Sequence, residues 1–585
     1  MQTLLQLQCD ILVVGGGMGG TAAALRSCAL GRRVVMTEPT RWLGGQATSQ
    51  GVSALDEHQY IEHFGGTEAY NEFRRRIRAY YRRHYQLVQD HERLNPGNGW
   101  VSKLCFEPGV GVQVLQEMLT PALADGLLTV FYGTEPAAVE RRGSRIQAVI
   151  VRNLETGEQT RIEAAVVIDA SELGDLLRLA GVPYRSGMES FAETREPSAP
   201  AEGNPEAVQS FAYPFAIEYC PGENHVITRP DGYEKFRDTQ PYSFEGYRMF
   251  AKGGPSGLPF WTYRRLIDAS LFAGGKFPHD IAMINWPAND YHGGNIIDAP
   301  PELLAARLDE AKRLALGFLY WLQTEAPRDD GGHGYPELKL RPEIMGTVDG
   351  LAQHPYIRES RRIKACHTIR EQEIVAAYNP GSRAQLHHDS VGIGLYIYVD
   401  VHRCCNTDLR PGGGQAIRPF QIPLGALLSP EVDNLVAGAK NIGTTHITNG
   451  ACRLHPVEWN TGESAGALAA FALDQGVSPG RVYRDRRLLR RYQGELVRHG
   501  VPLYWFEDVP NRHPAFAAVQ TLAVQGVIAG EPTNLLFNPE RPMDPETAQA
   551  WGRRAGVAVA AGSSLTRAEY AVRLAQAMAE RVAAV

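Results

Sequence analysis

Gly15, Gly17 and Gly20 form a G-x-G-x-x-G run directly after the apolar segment Asp10-Ile-Leu-Val-Val14. Such a turn brings backbone N–H groups and a helix N-terminus to a pyrophosphate. Gly15 permits the bend, Gly17 lets the main chain approach the phosphates, and Gly20 lets helix and strand pack closely. The small and apolar residues 21–30 read as that helix, Gly31 as its stop, and 33–38 as a second strand ending in an acid. Glu38 is thereby placed to accept hydrogen bonds from ribose hydroxyls, and the whole unit is that of a dinucleotide binder. The chain then turns again at Gly44-Gly45-Gln46 instead of entering a further helix. A second glycine turn at this point suits a flavin, along which it would lie. Residues 165–169 read as a strand that closes the nucleotide-binding sheet, with Asp169 at its end.

A second set of residues could act on a substrate. Two-electron oxidation at a flavin needs a base for the substrate proton and an electrophile for the developing charge. Residues 391–402 alternate towards Asp400 and His402, which predicts a strand carrying both on one face. His402 is the candidate base and Asp400 its orienter, with Arg358 as holder of an anion or carbonyl. Asn289 and His292, in a polar and aromatic loop at 284–295, are candidates for the substrate pocket. Arg453, His455 and Glu458 precede a small-residue helix with Asn460 or Thr461 as N-cap. They are assigned to catalysis, substrate and cofactor in that order, with bracing of the loop as the alternative. That helix, Gly462 included, would face the flavin. Asn441, after the strand at 434–438, is assigned to a ribityl or phosphate contact, and Lys440 would offset phosphate charge.

These groups need a large scaffold. The 585 residues exceed one ordinary domain, and 44% apolar with 21% charged residues is a globular composition. A net charge of −6 argues against a nucleic-acid or anionic-membrane binder, although an Arg-rich helix is predicted at 70–84. The eight cysteines show no zinc spacing, so no metal is assigned, and they are read as thiols in a reducing compartment. Neither a leader nor a membrane span is read, so a soluble cytoplasmic protein is expected. Self-association into a homo-oligomer is left open.

Several segments resemble the FAD-dependent oxidoreductases with a glutathione-reductase-like cofactor domain. They are VVGGGMGGTAAA, WLGGQAT, VIDASELGDLLRLAGV at 167–182, HPYIRESRRI at 354–363, DSVGIGLYIYVDVH at 389–402 and the long run at 434–473. Where that family usually has Thr-Gly, this chain has Ser171-Glu172. The resemblance implies an α/β fold: a glutathione-reductase-like Rossmann domain, an inserted α+β substrate or cap domain, and a helical C-terminal module. The expected boundaries are 1–182 and 431–480 for the cofactor domain, 183–430 for the insertion and 481–585 for the tail. It implies FAD and a redox reaction but no particular substrate; no motif forces a bond to the flavin, so non-covalent attachment is expected. The leading expectation is hydride transfer from a small organic substrate, with reoxidation by oxygen or another acceptor. The alternatives are an NAD(P)H-dependent monooxygenase or reductase, and a cell-surface protein with vestigial FAD. Residues 513–545 and the Thr-Arg-Ala-Glu motif at 566–569 resemble a degenerate S-layer homology repeat.

Overall fold

The computed structural model describes residues 5–560 and 565–583. Met1–Leu4, part of the stretch read for a leader, lie outside the described residues. Strand β1 (Leu5–Val14) leads through the glycine turn into α1 (Met18–Ala29), and β2 (Val34–Glu38) follows. Then come α2 (Glu68–His84), α3 (Pro108–Ala124), β3 (Leu128–Tyr132), β4 (Thr134–Arg142), β5 (Arg145–Asn153) and β6 (Gln159–Asp169). A second region holds β7 (Phe215–Tyr219), β8 (Arg265–Ile267), β9 (Ile281–Ile284), α4 (Pro301–Thr324) and β10 (Leu338–Leu340). After β11 (Ser390–Gly394) and β12 (Phe420–Pro423), β13 (Leu435–Ala437) returns to the first sheet. Helices α5 (His446–Cys452), α6 (His455–Asp474), α7 (Arg486–Arg498), α8 (Phe516–Val524), α9 (Pro545–Ala555) and α10 (Arg567–Ala583) complete the chain.

The main sheet is seven-stranded, in the order β3-β2-β1-β6-β5-β4, with β13 on the C-terminal half of β6. Strands β3, β2, β1, β6 and β13 run parallel, and β4 and β5 form an antiparallel extension. Ile11–Val14 are wholly buried because parallel strands flank β1 and helices cover its faces. Val13 pairs with Met36 on one side and Ile168 on the other, so the glycine turn leaves the sheet at its C-terminal edge. In open α/β sheets that edge is where ligands bind.

The second sheet is antiparallel, in the order β8-β9-β7-β10. Its core is aromatic: Phe244 meets Trp321 of α4 at 5.3 Å and Phe260 meets Trp286 at 5.0 Å. All six arginines of α2 are paired, among them buried Arg74 with Glu57 and Glu62, and Arg78 with Glu62. No described helix is long and apolar enough to cross a membrane.

Two local expectations are corrected. The strand expected over 391–402 ends at Gly394, where a Cβ would come within 2.4 Å of the Phe420 ring of β12. Asp400 and His402 therefore sit on irregular chain. The helix expected to start at Asn460 or Thr461 starts at His455, with Leu454 as N-cap and Pro456 in the first turn. Residues 460–462 lie inside it, and Gly462 packs against the first turn of α1.

The tail shares a core with the body. Phe516, Val519, Leu522 and Val527 are buried in the same apolar cluster as Tyr492 and Leu496 of α7 and the strands of the main sheet. Trp505 lies edge-on to Phe64 at 5.4 Å.

Candidate active site

The glycine turn is shaped by contacts that tolerate no side chain. Gly15 has φ +99°, and a Cβ on Gly20 would lie 1.8 Å from the Gly15 oxygen. At the end of β2, Glu38 accepts from Gly16 N at 3.0 Å, Thr40 N at 2.9 Å and Thr40 Oγ1 at 2.6 Å. Burial outweighs these donors and pushes the Glu38 carboxyl up to about 7. At the end of β6, Asp169 Oδ1 accepts from Ser171 N and Oγ, and burial again lifts the group to about 7.

A buried charge triad lies against the start of α1. Lys440 Nζ pairs with Glu172 and lies 3.1 Å from Glu458 Oε2, and Glu458 Oε1 accepts from Gly19 N at 3.4 Å. Glu172, one of the departures from the family pattern, thus neutralises the lysine. Asn441 is occupied by backbone: its Oδ1 accepts from Ala439 N and its Nδ2 donates to Asp169 O, tying β13 to β6.

Gln46 connects the glycine turns to the substrate side. Its Nε2 donates to Glu458 Oε2 at 2.5 Å and to Arg453 O at 3.0 Å. Arg453 is wholly buried and donates to Tyr356 Oη at 2.9 Å and Asp400 Oδ2 at 2.6 Å. Asp400 Oδ1 lies 3.3 Å from His402 Nε2, and His402 Nδ1 lies 2.9 Å from Asp290 Oδ2. Asp290 Oδ1 pairs with Arg358 Nη2 at 2.8 Å. Burial alone would raise both acids, but His402 with Arg453 and Arg358 hold Asp400 below the usual carboxylate range, and Arg358 with His402 hold Asp290 below it.

The structure thus brings His402, Asp400, Arg358 and Arg453 together and adds Asp290 and Tyr356. Asp290 lies between the two residues picked from the 284–295 loop. The unusual polarity of that loop was its only signal. The two picked residues differ. His292 lines a cavity of about 490 Å³ together with Asp290, Tyr398, Asp400, His402, Arg403 and Arg410. Asn289 points away from it, accepting from Trp286 N and donating to Tyr213 O. His455 is also removed from that cavity: Asp56 N donates to its Nδ1, and its Nε2 meets Val52 O at 3.0 Å. Burial pushes this ring down to about 4, which keeps it neutral. The pairing of Asp56 with Arg264 at 2.9 Å was invisible in the sequence, where 208 positions separate them. All eight cysteines, the adjacent Cys404 and Cys405 included, are free thiols.

The sequence profile of the FAD dependent oxidoreductases matches residues 10–496. The chain belongs to the FAD dependent oxidoreductase family. As a family member it is an enzyme, and its cofactor is FAD. No curated protein matches the chain. One similar solved structure is the L-proline dehydrogenase from P. horikoshii, at 17% identity over 29% of this chain and TM-score 0.17. The match spans 24% of that dehydrogenase. Another is a geranylgeranyl bacteriochlorophyll reductase-like protein from Thermoplasma acidophilum, at 10% identity over 94% of this chain and 97% of that one, TM-score 0.31. The glycerol-3-phosphate dehydrogenase from Bacillus halodurans, complexed with FAD, matches at 14% identity over 36% of this chain and 40% of that one, TM-score 0.22.

The residues of this FAD dependent oxidoreductase fit the cofactor. Buried acceptors without a hydrogen-bond partner cluster beside the glycine turns: Gln46 Oε1, Glu172 Oε1 and Asp169 Oδ2. Glu38 at the end of β2 suits the ribose hydroxyls, and the amides that open α1 suit the pyrophosphate.

Proposed function

We propose that the protein oxidises a small polar organic substrate held in the cavity beside His402, with FAD as the first electron acceptor and oxygen or another carrier as the next. FAD, when bound, supplies the two-electron chemistry. The observation that carries this reading is the run of contacts Gln46–Arg453–Asp400–His402, which joins the glycine turn to the cavity wall. A carboxylate stands at each ring nitrogen of His402, Asp290 at Nδ1 and Asp400 at Nε2. With both ring nitrogens taken, this proposal replaces the role of base by that of a positioning residue, which holds Asp290 and Asp400 at the wall of the substrate cavity. Asp290 and Asp400 orient the ring, and Arg358 and Arg453 neutralise the two acids. Residues 1–182 with 431–480 would hold the cofactor, 183–430 would form the substrate side, and 481–585 would pack on the body. In this reading the S-layer-like tail is a packing element.

The holoprotein, mixed anaerobically with panels of hydroxy acids, alcohols and amines, should show flavin bleaching with at least one. His402→Gln should slow that bleaching by about 10²-fold or more while keeping its FAD. Unchanged bleaching in His402→Gln would exclude the assigned role. Bleaching by NADH or NADPH alone would favour the monooxygenase or reductase instead. Acid precipitation should release the flavin, since attachment is taken to be non-covalent.

A further inference from the structure

We propose that His367, Glu373 and His387 form a binding site for a divalent transition-metal ion, apart from the cofactor and the cavity. The three come from different segments: the chain after 363, the short helix Glu371–Ile374, and the run that enters β11. Glu373 Oε2 lies 2.9 Å from His367 Nε2 and 3.3 Å from His387 Nε2. All three donor atoms lie within 4.8 Å of one another. Ligands bonded to such a metal at about 2.0–2.2 Å stand about 3.0–3.5 Å apart along the edges of its coordination polyhedron. The two acid–imidazole spacings already have about that length.

Two imidazoles and one carboxylate are donors that zinc and ferrous iron accept. The imidazole rings stand 5.0 Å apart at 71°, so their Nε2 atoms converge on the acid without stacking. The side chains of Glu373 and His387 are 9% exposed and that of His367 30%, which leaves an entrance on the His367 side for the ion and its waters. Asp389 adds negative charge near His367, against Arg370. Among the described residues, only the two histidines pair with Glu373. Two other groups of donors share Cys220 and are less suited: in one, Arg341 Nη1 already lies 2.6 Å from Glu218, and in the other, Glu223, beside His225, is 56% exposed. An ion at the first site would fasten the 367–374 segment to the entry of β11.

The test uses the full-length, FAD-loaded protein, dialysed against EDTA and titrated calorimetrically with Zn²⁺ alone. One saturable site is expected, with a rise in Tm on saturation. His367→Ala, His387→Ala and Glu373→Gln should each weaken it at least about tenfold and remove the Tm response. Glu373→Gln keeps an acceptor for the imidazoles but not the charge, so it separates ligation from simple bracing. The flavin spectrum reports folding, and His387→Asn replaces His387→Ala should the latter fail to fold. A Cys220→Ser/His279→Ala variant should titrate like wild type. A wild-type protein with no saturable site, a site that survives His387→Ala and Glu373→Gln, or one lost with Cys220 and His279 would overturn the proposal.

Discussion

Arg453 Nη2 lies 2.6 Å from Asp400 Oδ2, and the guanidinium is 1% exposed. The carboxylate and the Tyr356 hydroxyl both depend on that one cation. Arg453→Met should cost about 1–3 kcal/mol, because it removes the buried cation beside Asp400 and leaves that carboxylate with His402 and the cavity water. Adding Asp400→Leu should recover part of the loss. Thermal melting of the holoproteins measures this, and equal melting of Arg453→Met and wild type would show the pair to be energetically neutral.

Glu38 links cofactor affinity to pH. Its carboxyl titrates at about 7 in the FAD-free protein, and ribose hydroxyls donating to it would favour the ionised form. FAD should therefore bind more tightly as pH rises from about 6 to about 8, with a proton released on binding. The same raised pKa makes the FAD-free protein less stable as pH rises from the ordinary carboxyl range through about 7. Glu38→Gln should reduce the pH slope of the FAD dissociation constant. Glu38→Ala should weaken binding by about 1.5–3 kcal/mol, whereas Arg41→Ala, whose side chain is 83% exposed, should not.

Gly462 tests the seam between α1 and α6. A Cβ there would come within 1.9 Å of the Gly19 oxygen, which is backbone and has no rotamer to change. Gly462→Ala should part the helices, cost about 1–3 kcal/mol or more by overpacking, and yield protein with little flavin. Gly494→Ala in α7, where a Cβ meets nothing within 4 Å, should keep full flavin content. Comparable flavin in both variants would contradict the seam.

Truncation after residue 505 should leave an insoluble protein. It removes Phe516, Val519, Leu522 and Val527 from an apolar cluster they share with Tyr492 and Leu496, and so exposes the surface they cover. A soluble, monomeric truncation with its full flavin content would show that the body closes its core alone.

Much of the cofactor half was legible because its signals are local. The apolar run of β1, the glycines and Glu38 lie within one βαβ unit, where spacing alone dictates geometry. The start of α6 was misplaced because Thr461 and Asn460 look like caps, whereas their side chains bond back to Val457 O and across to Val391 O. Asp400 and His402 are assigned on an alternating pattern that runs past Gly394, where the strand ends. Asp290, Arg264 and Asp56 escaped because each acts through a partner distant in sequence, and no periodicity records such a meeting. Asn289 misled for the opposite reason: its polarity serves its own turn.

Strand β6 borders β1 on one side and β13 on the other, and α6 lies on α1. The surroundings of the glycine turn are therefore assembled from the first and the last thirds of the body. During translation, the nascent glycine turn must wait for α6 while roughly 440 more residues are added, on the order of 20–90 s at ordinary elongation rates. In that interval the faces of α1 and β6 that α6 and β13 later cover stay exposed. Flavin loading is consequently a late event in the life of each chain, and one that starvation for riboflavin would expose as slower maturation rather than slower synthesis.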